Sequence, residues 1–435
     1  MPNLPMWITP HPILAVSKEK LREYAKGAMD SIVYNLTHAA EEVTETTSSA
    51  AKTLTFSGKD YADVYDAFND YMLKIRGGDG LPLIPPTRAK VDWMLKGTDR
   101  APDEVVVTAH PSGRAVTVEG IAINAVMAGA LPVYMPVIIA ALQAWDEYHW
   151  GWSCVTTTGA CAPFILVSGP ITEQLDINSK GNCLSGYGWR SNIAIGRSLE
   201  MIFHTIGGAI PGVTDMSMVG MPHTIVSIVM AERTDVIDEI GWPTYSEERG
   251  FTREQNTVAV ATASMGCADT VGYGISTSEE FLTRLVEGFP ILGGAFAGPE
   301  GRAGYLILTP EMARLFSEFG PTKAKAVDVF LKKLNEEKVW SLEDALEKVD
   351  LMEGSWWARL TDEEKAAWGD KEVRFFTSDP FEWAILIAGG PGKGAFYYPR
   401  NLFKTGEPPI MKEIALPKNW NELLREAAIE PIPMP

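Results

Sequence analysis

The chain has 435 residues, 46% apolar and 22% charged, with 56 acidic against 38 basic side chains and a formal net charge of −18. That length accommodates two or three domains, or one large elaborated one with ample core. The acidic balance excludes a nucleic-acid surface as the main partner, because such a surface needs a basic stripe.

Four cysteines are too few for a disulfide framework, so a reducing, cytoplasmic setting is expected. The opening residues, Met1 to Leu14, lack the basic region of a signal peptide. From Gly120 to Trp145 no charge occurs, but Pro132 and Pro136 divide the stretch and Asn124 and Gln143 lie within it. It therefore reads as buried helix and not as a membrane span.

In chain order, an extended lead precedes a helix from about Ser17 to Thr44, whose stripe of Leu21, Tyr24, Ala25, Ala28, Ile32, Val33 and Leu36 needs a surface to lie on. A polar linker follows over Glu41 to Lys52. Tyr61 to Met72 gives an aromatic helix, stopped by Gly77 and Gly78. The rigid connector Asp79-Gly-Leu-Pro-Leu-Ile-Pro-Pro-Thr87 comes next, and Thr87 is placed to cap a helix carrying Val91, Met94 and Leu95. Val105–Ala109 and Val116–Val118 alternate as strands around a turn.

After the uncharged block, Trp145 to Trp152 reads WDEYHWGW, aromatics beside an imidazole that suit the wall of an apolar pocket or a core corner. Phe164–Ser168 is a buried strand. The stretch from Asn178 to Gly212 then stands out: a loop of glycines, an amide, a thiol and a guanidinium feeds an apolar helix from Ser191, an arrangement suited to cradling a polar ligand.

Thr224–Ala231 reads as a central strand ending at Glu232 and Arg233, Trp242–Phe251 as a loop, and Val258–Ala263 as another strand closed by Met265-Gly-Cys267. Helices are expected over Ser278–Val286 and Thr309–Phe319, the second capped by Thr309 with Pro310 behind it, and a strand over Gly304–Leu308. Trp383–Ala388 reads as the last strand. It runs into Gly389-Gly-Pro-Gly-Lys-Gly394, which lacks the GK[ST] ending of a phosphate loop and is expected to offer backbone donors. The predicted fold is α/β, with a mixed α+β arrangement as the alternative. Its divisions are an N-terminal arm and helix over 1–52, a core over 53–323, a helical insertion over 324–370, and a last strand, glycine loop and wrapping tail over 371–435.

Several of these stretches resemble the UGSC family of bacterial proteins, named for a selenocysteine-glycine-serine-cysteine motif. They are GDGLPLIPPT (78–87), INAVMAG (123–129), DINS (176–179), IAIGR (193–197), GGAIPG (207–212), ERGF (248–251) and AGGPGK (388–393), in order over about 75 to 400. The resemblance implies thiol or selenol chemistry on a small organic molecule. Yet no Gly-Ser-Cys tripeptide occurs in this chain, and Ala130 stands where some members have cysteine. The resemblance therefore implies the large subunit of a cytoplasmic oxidoreductase, an oligomer whose redox centre sits on a separate small Cys- or Sec-bearing polypeptide.

If the chain carries its own nucleophile, Cys183 is the candidate, because it alone among the cysteines lies among loop amides with Arg190 and Arg197 near in sequence. Glu248 and Arg249 are candidate acid/base or orienting groups. Asp79, Asn182, Arg190, Asn192, Arg197, His149, Trp152, Gly390 and Lys393 are candidate substrate contacts. Two rival readings stand beside this one: a hydrolase or hydratase, with or without metal, using His149, His204 or His223 with Asp215 or Glu232, and a non-catalytic structural subunit. No histidine or cysteine pair has metal-ligand spacing, and no metal ligand is assigned.

Overall fold

The computed structural model describes residues 18–37, 53–149, 151–217, 219–263, 268–271, 274–289, 303–341, 343–344, 361–368, 373–374, 376, 378–399 and 408–429. The fold is mixed α/β. By their contacts the residues divide into a smaller unit, drawn from Met1–Ser57, Leu292–Pro299 and Val339–Phe375, and a larger one holding the rest.

In the smaller unit, helix α1 runs over Lys18–Thr37, and the rest of the expected helix to Thr44 lies outside the described residues. Of its apolar stripe Ala28 is buried, while Leu21, Ile32, Val33 and Leu36 are exposed. A two-residue antiparallel pair, β8 (Val339–Trp340) with β9 (Val373–Arg374), and a short helix over Asp362–Ala366 with a Thr361/Glu364 capping box are its other regular elements among the described residues.

The larger unit begins with helices α2 (Tyr61–Lys74) and α3 (Arg88–Leu95). Thr87 caps α3 as expected, its hydroxyl accepting from the Lys90 amide. The antiparallel pair β1 (Val105–Ala109) and β2 (Arg114–Thr117) follows. The uncharged block then folds as α4 (Val118–Met127), a 3₁₀ turn at Pro132–Tyr134 and α5 (Met135–Glu147). Pro132 and Pro136 fall at the starts of the last two, where no backbone N–H is needed. Among the described residues no helix is long and apolar enough to cross a membrane.

Two four-stranded sheets form the centre. The first holds β3 (Ala162–Ser168), β4 (Ile228–Ala231), β5 (Thr257–Ala263) and β12 (Ile410–Glu413) in the order β12-β5-β3-β4. The second holds β6 (Ala268–Val271), β7 (Gly304–Leu308), β10 (Ala384–Ile387) and β11 (Ala395–Pro399) in the order β10-β7-β11-β6.

The two have the same plan. A parallel pair, β3 with β4 or β7 with β10, is followed by an antiparallel strand, β5 or β11, and then by a fourth antiparallel strand. That fourth strand is exchanged, since β6 follows β5 in sequence yet pairs with β11, and β12 follows β11 yet pairs with β5. The repeat shows in the residues as well, with Phe164-Ile-Leu-Val-Ser168 matching Tyr305-Leu-Ile-Leu-Thr309, each leading to a proline. Phe164 and Tyr305, equivalent in the two strands, stack with ring centroids 3.9 Å apart. Such a pair adds about 1 kcal/mol to the burial of both rings. Around it one cluster gathers alternate residues of both sheets, including Leu166, Ile228, Met230, Ile307, Leu386 and Ala388.

Three strand expectations change. β4 is an edge strand of four residues, because Pro222–Thr224 forms a 3₁₀ turn instead of extending it. β10 is not the last strand, since the segment after the glycine loop pairs with β7 and β6. The tail supplies β12 and a helix over Trp420–Ala427 rather than only wrapping the surface. The expected strand closure at 265–267 lies outside the described residues. The helix Lys323–Glu337, assigned from sequence to an insertion, buries Ala326, Val327, Phe330, Leu331 and Leu334 and belongs to the larger unit.

Candidate functional site

The expected ligand cradle between Asn178 and Asn192 is filled by the chain itself. Asn178 Oδ1 accepts from the Lys180 amide, and its Nδ2 donates to the Gly181 carbonyl. Asn192, buried at the start of the helix Arg190–Thr205, donates to the Val229 carbonyl at 2.6 Å and accepts from the Asn178 amide at 3.0 Å. Ser191 donates to the Asp176 carbonyl. These bonds tie the loop to β4.

Cys183 is buried in the inter-sheet cluster, and burial pushes its thiol up to about 11 despite nearby amides of Leu184, Cys183 and Gly389. The reactive-thiol reading requires the opposite shift. Asn182 is exposed with φ 60°, and Arg190 donates to the Gly129 carbonyl. Arg197 grips Asp79 with two bonds, Nε to Oδ2 at 2.6 Å and Nη2 to Oδ1 at 3.0 Å, and also donates to the Pro82 carbonyl. This bidentate pair pins the proline-rich connector to the helix.

The glycine loop 389–394 does reach the Cys183 loop, for the Gly389 amide donates to the Ser179 carbonyl at 2.8 Å. A Cβ on Gly390 would stand 3.3 Å from the Gly181 Cα. Lys393 donates to the Ile275 carbonyl. Thr309, expected as a helix cap, makes no cap bond; its hydroxyl donates to the Gly392 carbonyl and accepts from the Gly394 amide.

His149 is exposed. Trp152 donates to Asp146 and packs edge-on against Phe203, and Trp145 stacks on Phe203, so the aromatic run is a core corner. His204 lies against the Ala209 and Arg76 carbonyls and His223 against that of Ala160. Among the described residues no group of three His, Cys, Asp or Glu could hold a metal.

A cavity of about 280 Å³ opens where β3 and β4 end, and of the residues singled out as candidates only Glu232, from the hydrolase or hydratase reading, lines it. Its wall includes Ser168 at the end of β3 with Gly169 and Pro170 beyond it, Glu232 and Thr234 after β4, and Thr244, Ser246 and Arg253 from the following segment. Ends of parallel strands are where open α/β sheets place ligands, because the connecting loops diverge there.

Glu232 is the distinctive group of this wall. It lies one residue beyond β4, so strand alternation keeps it on the inner side with Ile228 and Met230, and it is 5% exposed. Its Oε2 accepts from the Tyr245 amide at 2.8 Å, at the first turn of the short helix Tyr245–Glu248, which a Thr244/Glu247 capping box fixes. Its Oε1 is buried and makes no hydrogen bond to a described residue.

Burial raises the Glu232 carboxyl to about 7; Lys323, the Tyr245 amide and the Ile387 amide oppose the rise, and Glu248 adds to it. Lys323, 3% exposed in its side chain, is held by Glu248 at 2.7 Å. Arg249 lies over the Tyr245 and Phe381 rings and donates to the Phe381 carbonyl. Glu248 and Arg249 therefore build the support behind Glu232 and do not face the cavity.

In the sequence Glu232 stands out only as a possible companion to histidines. The available signal was its position, the first acidic side chain after an apolar strand. No family model, curated protein or solved structure matches the chain.

Proposed function

We propose that this chain is the pocket-bearing component of an enzyme acting on a small organic molecule, with Glu232 moving a proton to and from the bound substrate. The observation that carries the reading is a buried carboxyl at a cavity wall, one oxygen held by a backbone amide and the other unengaged, with its titration raised to about 7. Near neutral pH such a group is populated in both forms, which is the condition for efficient general acid and base action. The hydroxyls of Ser168 and Thr234 stand in the same wall as orienting groups.

The thiol or selenol chemistry implied by the UGSC resemblance is assigned to a separate polypeptide. A high thiol pKa and a place in the apolar core argue against Cys183 as nucleophile. The hydrolase or hydratase reading shares the proton transfer but relies on histidines that lie against backbone carbonyls or outside the cavity wall.

The test has two arms. Tagged chain expressed in its native host is expected to co-purify with a small Cys- or Sec-bearing protein. Activity of that complex is expected to fall at least about 100-fold in Glu232→Gln, the scale of general acid–base assistance, while Cys183→Ser retains it. Loss in Cys183→Ser with retention in Glu232→Gln would overturn the assignment.

A further inference from the structure

The chemistry of the cavity wall specifies the charge of its occupant. Four of the lining residues are charged: Glu173, Glu232, Asp238 and Arg253. The one cation among them is already taken, for Arg253 pairs with Asp238 at 2.6 Å and with Glu247 at 3.3 Å. Among the described residues Glu173 forms no ion pair, and the buried Glu232 Oε1 has no hydrogen-bond partner.

The hydroxyls of Ser168, Thr234 and Thr252 make no hydrogen bond to described residues, whereas Thr172 donates to the Gly169 carbonyl and Ser246 bonds to Thr257. An anionic ligand would find no free cation and would meet two carboxylates. Among the described residues no aromatic side chain lines the space, so a quaternary ammonium would lack the ring faces that usually hold one.

We propose that the cavity binds a small ammonium compound that carries N–H bonds and a hydroxyl, held against its acidic wall with its charge balanced by Glu232 and Glu173. The proposal rests on the reading of Glu232 as the proton-transfer group. A volume of about 280 Å³ suits a small molecule and not a polymer end.

Binding is then linked to proton release. The groups facing Glu232 are Lys323, neutralised by Glu248, and across the cavity Arg253, Asp238 and Glu173. Arg233, next in sequence, is engaged by Asp235 and the Gly389 carbonyl. Without ligand the carboxyl holds its proton up to about pH 7. An ammonium favours the carboxylate, so affinity rises with pH toward 7, by up to about tenfold per unit, and levels off until the amine itself loses its proton near pH 10.

The test is calorimetric titration of the full chain between pH 5.5 and 8.5 with four probes: 2-aminoethanol, choline, ethylene glycol and glycolate. The expected result is saturable binding of 2-aminoethanol that strengthens about fivefold from pH 6 to 7, with proton release measured from buffers of different ionisation heat. Choline and ethylene glycol are expected at least tenfold weaker, and glycolate without saturable binding.

Glu232→Gln is expected to abolish the pH dependence, and Glu173→Gln, at the exposed rim, to weaken 2-aminoethanol a few-fold. Equal or tighter binding of glycolate or ethylene glycol, or amine affinity unchanged in both variants, overturns the proposal. Carbon-13 spectra of the glutamate carboxyls separate the two failures. A Glu232 carboxyl that titrates near pH 7 in a protein that ignores amines sinks the ligand class alone. A spectrum with no carboxyl titrating there sinks the reading of Glu232 itself.

Discussion

The two strand-pair ends, β3 with β4 and β7 with β10, are built alike and put to different uses. After β4 the chain turns into the helix Thr234–Ile240, leaving the space beside Ser168 open, and Glu232 stands at its edge. After β10 the equivalent position is Ala388, and the glycine loop 389–394 folds back over the strand end, tied down by Thr309, the counterpart of Ser168. The Arg233 amide donates to the Ile387 carbonyl, so the two ends are neighbours. A repeated backbone thus yields a cavity only where the loop turns away, and chemistry only where an acid replaces a small apolar residue.

The most severe way to break that comparison is to give the second end the acid of the first. Ala388→Glu buries a carboxyl with no cavity and no amide ready for it, and is expected to cost about 3 to 5 kcal/mol. Urea denaturation measures the cost, and a loss under 1 kcal/mol would show that the second end is as open as the first.

The reverse exchange sharpens it. An unfolded glutamate titrates near 4.3, and Glu232 in the folded chain near 7. Between these values the unfolded chain loses its proton first, so Glu232 lowers stability as pH rises through that window and holds it at the lower level above. Glu232→Gln is therefore expected to remove a pH-dependent loss worth roughly 3 kcal/mol at pH 8, and to change little at pH 4. Denaturation midpoints across pH, compared between the two proteins, test this. A parallel pair of curves would mean that the carboxyl is solvated.

Two smaller changes probe the paired hydroxyls. Thr309→Val removes both bonds to the glycine loop and is expected to cost about 1 to 2 kcal/mol, with faster amide exchange over 390–394. Ser168→Ala removes a hydroxyl bonded to no described residue and is expected to stay within about 0.5 kcal/mol. Equal costs at the two positions would remove the distinction between a closed end and an open one.

Much of the local structure was legible in the residues. Thr87 beside its prolines announced the cap of α3, and Pro132 and Pro136 marked the breaks in an uncharged stretch. The apolar runs at 164–168, 258–263 and 304–308 gave strands. The site was less legible. Asp79 and Arg197 look like ligand contacts when read singly, and only their mutual 2.6 Å pairing reveals a structural clamp. Cys183 keeps company in sequence with guanidinium groups, but its side chain lies among Phe164, Tyr305 and Ala388, where apolar burial outweighs neighbouring amides.

What the sequence determined by itself were most helix starts and stops and the strand-forming segments, because each depends on torsional preferences and hydrogen bonds within a few residues. Only the tertiary structure decided which strands pair, including the exchange of β6 and β12, and only it raised the titration of Glu232. Both follow from non-local packing: Lys323 and Glu248 reach that carboxyl from distant and unrelated segments, and the removal of water around it is a property of the assembled core.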